Sequence, residues 1–480
     1  MRKLWGILSL EIPFFFLILW TCTAEDGCRD TVSLQHSFPA PTPSSKFPCY
    51  CLSGNDVVKC ACDALSLDHL NDKLLHPRLM TVLKRNFFRY FKVNLQRECP
   101  FWHDDGRCSI RDCAVKTCTA DELPVSLRDL SANTVQEKVD EACAQEERLS
   151  SVDTSLNAAQ RADVGKWDTR AGDENFCVLD DEFSQDCCYI DLLKNPERYT
   201  GYTGPHANRI WRTIYEENCF QPSDPYSASN LARAMVSEAC LEKKVFFRLI
   251  SGLHSSISIH LCAEYLHASG RWGPNLQEFL RRFDDALTEQ EGTHRISNLY
   301  FAYSVLVRAI AKAARRFRNE QYFTGDVLED EIIRADIQKL LDTVEACPNY
   351  FDETKLFCGE PAEARRLKEE FRLHFRNISR IMDCVGCEKC RLWGKLQTQG
   401  MGTALKILFT EVDTIDNLKL KRSEVVSLWN AFGRLSSSMA KVQEFRILLE
   451  KPVVEEKIKF AKNVDVLSFL SRPAKERSEL

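Results

Sequence analysis

The chain has 480 residues, with 64 Lys and Arg against 69 Asp and Glu, a formal charge of −5. That balance argues against a bulk nucleic-acid binder, and 44% apolar residues exclude disorder as the main state. Gly and Pro are scarce, at 19 and 17, which favours long helices over a many-turned β fold, and the outlying number is 22 cysteines.

Arg2 and Lys3 precede an apolar run from Ile12 to Trp20, and Cys22-Thr23-Ala24 offers small residues at the −3 and −1 positions. Residues 1–24 therefore read as a secretory signal whose apolar run is too short to span a bilayer. The competing reading is a membrane anchor starting at Leu4, which Glu11 interrupts. No later stretch reaches 18 apolar residues, so the mature chain is expected in an oxidising lumen, soluble or peripheral to the lumenal membrane face. Cleavage after Ala24 leaves 22 − 1 = 21 cysteines, so at least one sulfur is free or paired outside the chain. A chain this large does not need staples to be stable, which raises the question of whether some cysteines do chemistry.

Residues 25–120 form a Cys-rich N-terminal segment that opens with Pro39, Pro41, Pro43 and Pro48. Cys49, Cys51, Cys60 and Cys62 are symmetric about their centre, and nested pairing would clamp a small hairpin. A helical period runs over 66–98. Cys99, Cys108, Cys113 and Cys118 then fall within twenty residues, which predicts a tight, loop-like element. The acidic stretch 121–185 reads as mobile and partly helical, with thirteen acids against six bases over 121–175. The core-like part, 186–450, carries helical periods at Tyr300–Phe317, at Ile337, Leu340, Leu341 and Val344, at Leu367, Phe371, Phe375 and Ile378, and around Val425–Phe432. Residues 451–480 read as a polar tail. The expected fold is mainly α, a single large helical domain with a Cys-rich N-terminal segment.

Cys384, Cys387 and Cys390 form C-V-G-C-E-K-C. Positions three apart share a helix face, so Cys387 and Cys390 can touch. At a helix start the dipole, with Lys389 and Arg391 nearby, would stabilise a thiolate, which makes this a redox geometry. Half of a zinc site and a plain structural bridge are the alternatives. No C-x-x-C exists elsewhere in the chain to complete a four-cysteine zinc site, so no metal is expected. Cys108, Cys113 and Cys118 recur every five residues, and two overlapping partners for Cys113 suggest alternative pairings, beside plain stapling. Two separated reducible pairs suggest an electron relay. Oxidising folding catalysts lie near about −180 mV and inert structural bridges below about −300 mV, so only strained or exposed pairs can accept electrons. A dithiol relay to oxygen needs a terminal acceptor such as a flavin. The Rossmann fingerprint is absent, since Gly400-Met401-Gly402 lacks a third Gly and a preceding strand. Any dinucleotide would be held by Arg side chains and aromatics instead.

The sequence resembles the endoplasmic reticulum oxidoreductins, FAD-dependent oxidases of protein disulfide isomerase. The matching blocks are NFFRYFKVNLQRECPFW (86–102), RDCAVKTC (111–118), NPERYTGYTGP (195–205), IYEENCF (214–220), LISGLHSSI (249–257) and FRLHFRNISRIMDCVGCEKCRLWGKLQTQG (371–400). The resemblance implies an inner pair at Cys387 and Cys390 beside FAD, and an outer shuttle pair at Cys108 and Cys113. Electrons would pass from reduced isomerase to the shuttle, to the inner pair, to FAD and then to O2, giving hydrogen peroxide in support of oxidative folding. It implies inhibitory pairings Cys108–Cys143 and Cys113–Cys118, and structural bridges Cys99–Cys384, Cys219–Cys240, Cys49–Cys62 and Cys51–Cys60. The implied FAD contacts are Arg198, Thr200, Trp211, Ser251, His254, Arg282 and Arg295. Read alone, His254 and Trp211 would be core residues, and Arg282 and Arg295 surface cations.

Asn377-Ile378-Ser379 is an N-glycosylation acceptor. Cys28, Cys177, Cys187, Cys188, Cys262, Cys347 and Cys358 have no assigned partner, and the tail Arg477-Ser478-Glu479-Leu480 shares only its last two residues with the usual retrieval signal. A second function class is a disulfide-stapled lumenal protein that binds thioredoxin-like partners without turnover.

Overall fold

A computed structural model describes residues 64–97, 99, 113–132, 187–198, 204–218, 241–288, 291–347, 351–358, 360–410 and 412–470. The signal at 1–24, Cys49, Cys51, Cys60, Cys62, Cys108, Cys143, Thr200, Cys219 and Cys240 lie outside the described residues.

The chain enters through α1 (Ala64–Leu70), a π-helical turn (Asn71–Leu75) and α2 (His76–Val82). After α3 (Asn86–Arg89) it becomes strand β1 (Tyr90–Val93), so the helical period read over 66–98 ends at Arg89. The β1 partner is remote in sequence: β2 (Cys188–Asp191) pairs with it antiparallel, Val93 opposite Cys188 and Tyr90 opposite Asp191. Between the two strands lies α4 (Val125–Ala132), and after β2 comes α5 (Gly204–Asn218).

The catalytic-core candidate is a bundle. Its members are α6 (Leu241–Ala263), α7 (Leu276–Phe283), α8 (Glu291–Lys312), α9 (Ala314–Arg318), α10 (Val327–Glu345), α11 (Pro361–Ile381), α12 (Glu388–Phe409) and α13 (Arg422–Leu470). A small hairpin, β3 (Tyr265–Leu266) with β4 (Trp272–Gly273), follows α6 and turns through Gly270, whose φ of +76° suits glycine. Helix starts follow the capping rules. Asp326 accepts from the Leu328 and Glu329 N–H groups at α10, Asn275 accepts from Glu278 N–H at α7, and Pro361 opens α11.

Two helix pairs build the centre, and each needs a glycine. A Cβ on Gly400 of α12 would fall on the Ser427 carbonyl of α13, and one on Gly252 of α6 on the Asn298 carbonyl of α8. Gly400 is thus a helix-crossing residue inside α12 and takes no part in a phosphate loop. Helix α6 is long and apolar enough by length and composition to cross a membrane, yet 83% of that stretch is buried in the bundle.

The N-terminal helices belong to the same core. Leu67, Leu70, Leu75 and Leu79 join one apolar cluster with Phe317, Trp429 and Phe432. Phe88 meets Trp429 edge-on at 6.0 Å between ring centres. Helix α13 runs on through the expected boundary at residue 450 to Leu470. Most of the described fold therefore serves to clamp α12 and α6, the helices that carry the site.

Candidate active site: a cysteine junction and a cationic cradle

Cys387 is the N-cap of α12, and its Sγ accepts from the Cys390 N–H at 3.4 Å. The pair therefore sits where sequence spacing predicts, at a helix start with one sulfur on the first turn. Both residues are fully buried. An N-cap position supplies unpaired N–H groups and the positive end of the helix dipole to a sulfur anion.

The turn before Cys387 is braced from three sides. Cys99 and Cys384 form a disulfide, with Cα atoms 4.4 Å apart. Lys395 of α12 makes a buried ion pair with Asp383 at 2.8 Å and also donates to the Asn94 carbonyl. Arg391 donates to the Val385 and Leu95 carbonyls. The sequence reading assigns Arg391 to thiolate support, but its guanidinium is spent on these carbonyls and acts as a brace. Thiolate support falls to the helix N-terminus.

A second cysteine-bearing segment lies directly on this helix start. The Lys389 N–H donates to the Cys113 carbonyl at 3.0 Å, and the Val115 N–H donates to Glu388 Oε2 at 2.8 Å. Asn195 then reads the Lys116 backbone both ways, accepting its N–H at 2.7 Å and donating to its carbonyl at 2.9 Å. Thr117 bridges to Ile190, and the Cys118 N–H reaches the Tyr189 carbonyl at 2.9 Å. Residues 113–116 thus lie on α12 and Asn195, and Thr117 and Cys118 run as an extra edge beside β2. Cys113 is disulfide-bonded, whereas Cys118 is a free thiol, so the Cys113–Cys118 bridge is not made in this state. Burial pushes the Cys118 thiol up, and the nearby Asp191 carboxylate adds to it.

Asn195 also accepts from Trp393 Nε1 at 2.8 Å, and the Arg198 carbonyl contacts Cys390 Sγ. The short segment 195–198 therefore touches the Cys113 segment, α12 and one sulfur of the inner pair. Glu197 within it is fully buried, ion-paired to Arg434 and hydrogen-bonded to Gln397 of α12 at 3.3 Å. Burial raises its carboxyl to about 7, against the opposing pull of Arg434.

The second group gathers on α6, α7 and α8. His254 stacks flat on Trp211 of α5, with ring centres 3.6 Å apart and planes 12° apart. Its Nδ1 is 3.0 Å from the Tyr215 hydroxyl. Burial pushes His254 down to about 3, and the charges of Arg282 and Arg295 push the same way. The ring is therefore neutral at physiological pH, with two cations close by. Arg282 is paired to Glu278 at 2.7 Å and reaches Ser258 at 3.4 Å. Arg295 donates to the Arg282 carbonyl at 2.9 Å. Ser251, one turn before His254, accepts from Asn298 at 3.0 Å. Arg198 stands apart from this group: its guanidinium lies 5.1 Å over the Trp272 ring, and its Nε is buried with no partner among the described residues.

Comparison with known proteins decides the family. Residues 74–442 match the family model described as Endoplasmic Reticulum Oxidoreductin 1 (ERO1). The chain is 46% identical over 450 residues to human ERO1-like protein alpha, covering 87% of this chain and 96% of that protein. It is 40% identical to the Ero1-like protein of Drosophila melanogaster, covering 93% and 98%. The solved structure described as Ero1p, source of disulfide bonds for oxidative protein folding in the cell, aligns with a TM-score of 0.55 at 30% identity, covering 82% of this chain and 99% of that one.

The chain belongs to the endoplasmic reticulum oxidoreductin family. It is thus an oxidoreductase in class, and its mainly helical fold is the one expected. Within this oxidoreductin, Trp211, Ser251, His254, Arg282 and Arg295 fall at the His254 cradle, and Arg198 meets Cys390 through its carbonyl and Trp272 through its guanidinium. Asn377 is half-buried in α11, and Ser379 of its motif is buried. Sequence reasoning missed Asn195, Glu197, Lys395 and Asp383. All four stand inside matched blocks, 195–205 and 371–400, but nothing in their spacing marks them.

Proposed function

We propose that this oxidoreductin reoxidises protein disulfide isomerase in the endoplasmic reticulum lumen, passing electrons from Cys108–Cys113 to Cys387–Cys390 and then through FAD to O2. The observation that carries the reading is the bond between the Cys113 carbonyl and the Lys389 N–H at 3.0 Å. It seats one half of the outer pair on the first turn of the helix that carries the inner pair.

The steps balance as two successive exchanges. A thiolate of reduced isomerase attacks the Cys108–Cys113 bond, and the second isomerase thiol completes its own disulfide, leaving a shuttle dithiol. A shuttle thiolate then attacks the Cys387–Cys390 bond through a mixed disulfide, and the shuttle bond re-forms. Two electrons and two protons arrive at Cys387 and Cys390. The α12 N-terminus would stabilise a Cys387 anion during the second exchange. When bound, FAD supplies a two-electron acceptor that O2 can reoxidise to give hydrogen peroxide.

The residues present suit such a group. The Arg198 Nε, buried without a partner among the described residues, needs an acceptor, as a buried donor without one is costly by about 1–3 kcal/mol. Arg282 and Arg295 beside the neutral His254 suit phosphate, and the outer face of Trp211 suits a flat ring. Arg198, Thr200, Trp211, Ser251, His254, Arg282 and Arg295 would hold it. Cys118 and Cys143 would regulate the shuttle by competing for Cys113 and Cys108.

The test is a visible spectrum of purified protein, followed by addition of reduced isomerase without air. Flavin bands should be present and should bleach, and Cys387→Ala should abolish bleaching. A colourless protein that still binds isomerase would replace this reading with a binding protein that does not turn over.

A further inference from the structure

Glu388 stands between the two inner cysteines as the first residue of α12, and no step of the relay needs a carboxylate there. An acid beside a sulfur that must ionise works against the chemistry. Its placement follows from a different task. Its Oε2 takes the Val115 N–H at 2.8 Å, and the next residue, Lys389, gives its N–H to the Cys113 carbonyl at 3.0 Å. The two bonds run in opposite senses and meet the Cys113 segment two residues apart. Together they fix both its position along α12 and its rotation.

The Lys389 N–H is one of the first-turn donors that a helix leaves without an internal partner. The Glu388 bond is charge-assisted, the stronger kind. The other ties to residues 116–118 come from Asn195 and β2. Glu388 is thus the described side chain of α12 whose removal loosens the segment without touching a sulfur or the sheet. Burial pushes the half-buried Cys188 thiol up, and the charge of Glu388 adds to that shift.

We propose that Glu388 is a positioning residue: its carboxylate, with the Lys389 N–H, latches the Cys113 segment onto the α12 N-terminus in register for disulfide exchange. The inference rests on the relay proposed above. It predicts that Glu388 matters for electrons that arrive through the shuttle more than for those that reach the inner pair directly.

The test compares Glu388→Ala, Glu388→Gln and the parent protein, all full-length and flavin-loaded. The readout is the rate of anaerobic flavin bleaching by reduced isomerase divided by the rate with dithiothreitol. The ratio cancels any general effect of the charge on Cys387. Glu388→Ala should lower it roughly tenfold, the scale of one charge-assisted hydrogen bond. Glu388→Gln keeps an oxygen in place and should recover most of the loss. An unchanged ratio in Glu388→Ala would overturn the latch, and so would a Gln variant as impaired as the Ala variant, since charge alone would then be responsible.

Amide hydrogen exchange over residues 113–118 is the readout without turnover. It should speed up in Glu388→Ala, and unchanged protection would also overturn the latch. Cys108→Ala separates the two levels. If it collapses the ratio while Glu388→Ala does not, the latch alone is wrong. If it too leaves the ratio intact, the relay has failed and takes the latch with it.

Discussion

The cysteine junction and the cationic cradle are built on opposite principles. At the junction, residues 113–118 are held mostly through backbone N–H and C=O groups against α12, Asn195 and β2. At the cradle, side chains from four helices surround one imidazole, Trp211 and Tyr215 by contact and Arg282 and Arg295 through their charge. A backbone-built contact tolerates changes of side chain and depends on register. A side-chain-built pocket depends on identity at each position. The two regions should therefore fail differently.

The largest expected effect is at the junction. Cys108→Ala should slow bleaching by reduced isomerase roughly a hundredfold more than bleaching by dithiothreitol, equivalent to about 2.7 kcal/mol of barrier. Flavin content should not change. Equal loss with both dithiols would remove Cys108 from the shuttle and blur the two regions into one site.

The cradle should show the converse. Arg295→Leu should raise the flavin dissociation constant roughly tenfold, as expected for one lost charge-assisted contact. It should leave the ratio between the two dithiols untouched, which gel filtration followed by a spectrum and a bleaching assay would check together. Full flavin retention would mean that Arg295 is a surface cation, as its isolated reading suggests.

The smallest effect is in acid, and its sign differs between the regions. His254 near the cradle is pushed down to about 3, and His374 on α11 to about 4, both by burial first. Unfolding releases each ring to its ordinary value near 6.5, so the unfolded chain takes up protons below pH 6.5. Their contribution to stability is present above that pH and fades as pH falls. Glu197 near the junction runs the other way. Its carboxyl is raised to about 7 in the fold, so protonation below pH 7 relieves its burial and favours the native state. His374→Gln should flatten the acid limb of the denaturant midpoint by at most about 1.4 kcal/mol per pH unit. An unchanged limb would show that His374 does not stay neutral on folding.

The same contrast explains what could be read from sequence. The C-x-x-C at a helix start was legible because three-residue spacing and a helix N-terminus are local facts, and Cys387 is indeed the N-cap. The helices around Tyr300, Ile337, Phe371 and Trp429 were legible for the same reason. Strand β1 was not, because its pairing depends on Cys188–Asp191 far along the chain, and Tyr90–Val93 continue an apolar pattern that also suits helix. Residues 451–470 read as a polar tail, yet they continue α13. The meeting of Cys113 with Lys389 had no local trace. The cradle residues follow only from the family resemblance, since a lone His254 or Arg295 carries no spacing that points to a ligand.

The Cys99–Cys384 bridge spans 285 residues of sequence. Cys384 is three residues before Cys387, so the turn that presents the inner pair is itself fastened by a disulfide. Cys99 must wait for nearly the whole core to be synthesised before its partner exists. Each new molecule therefore depends on an oxidant already present in its compartment to finish its own reactive centre. Capacity to make disulfides would then be inherited from older copies or related oxidants, and its recovery after depletion should start slowly and accelerate as completed molecules accumulate.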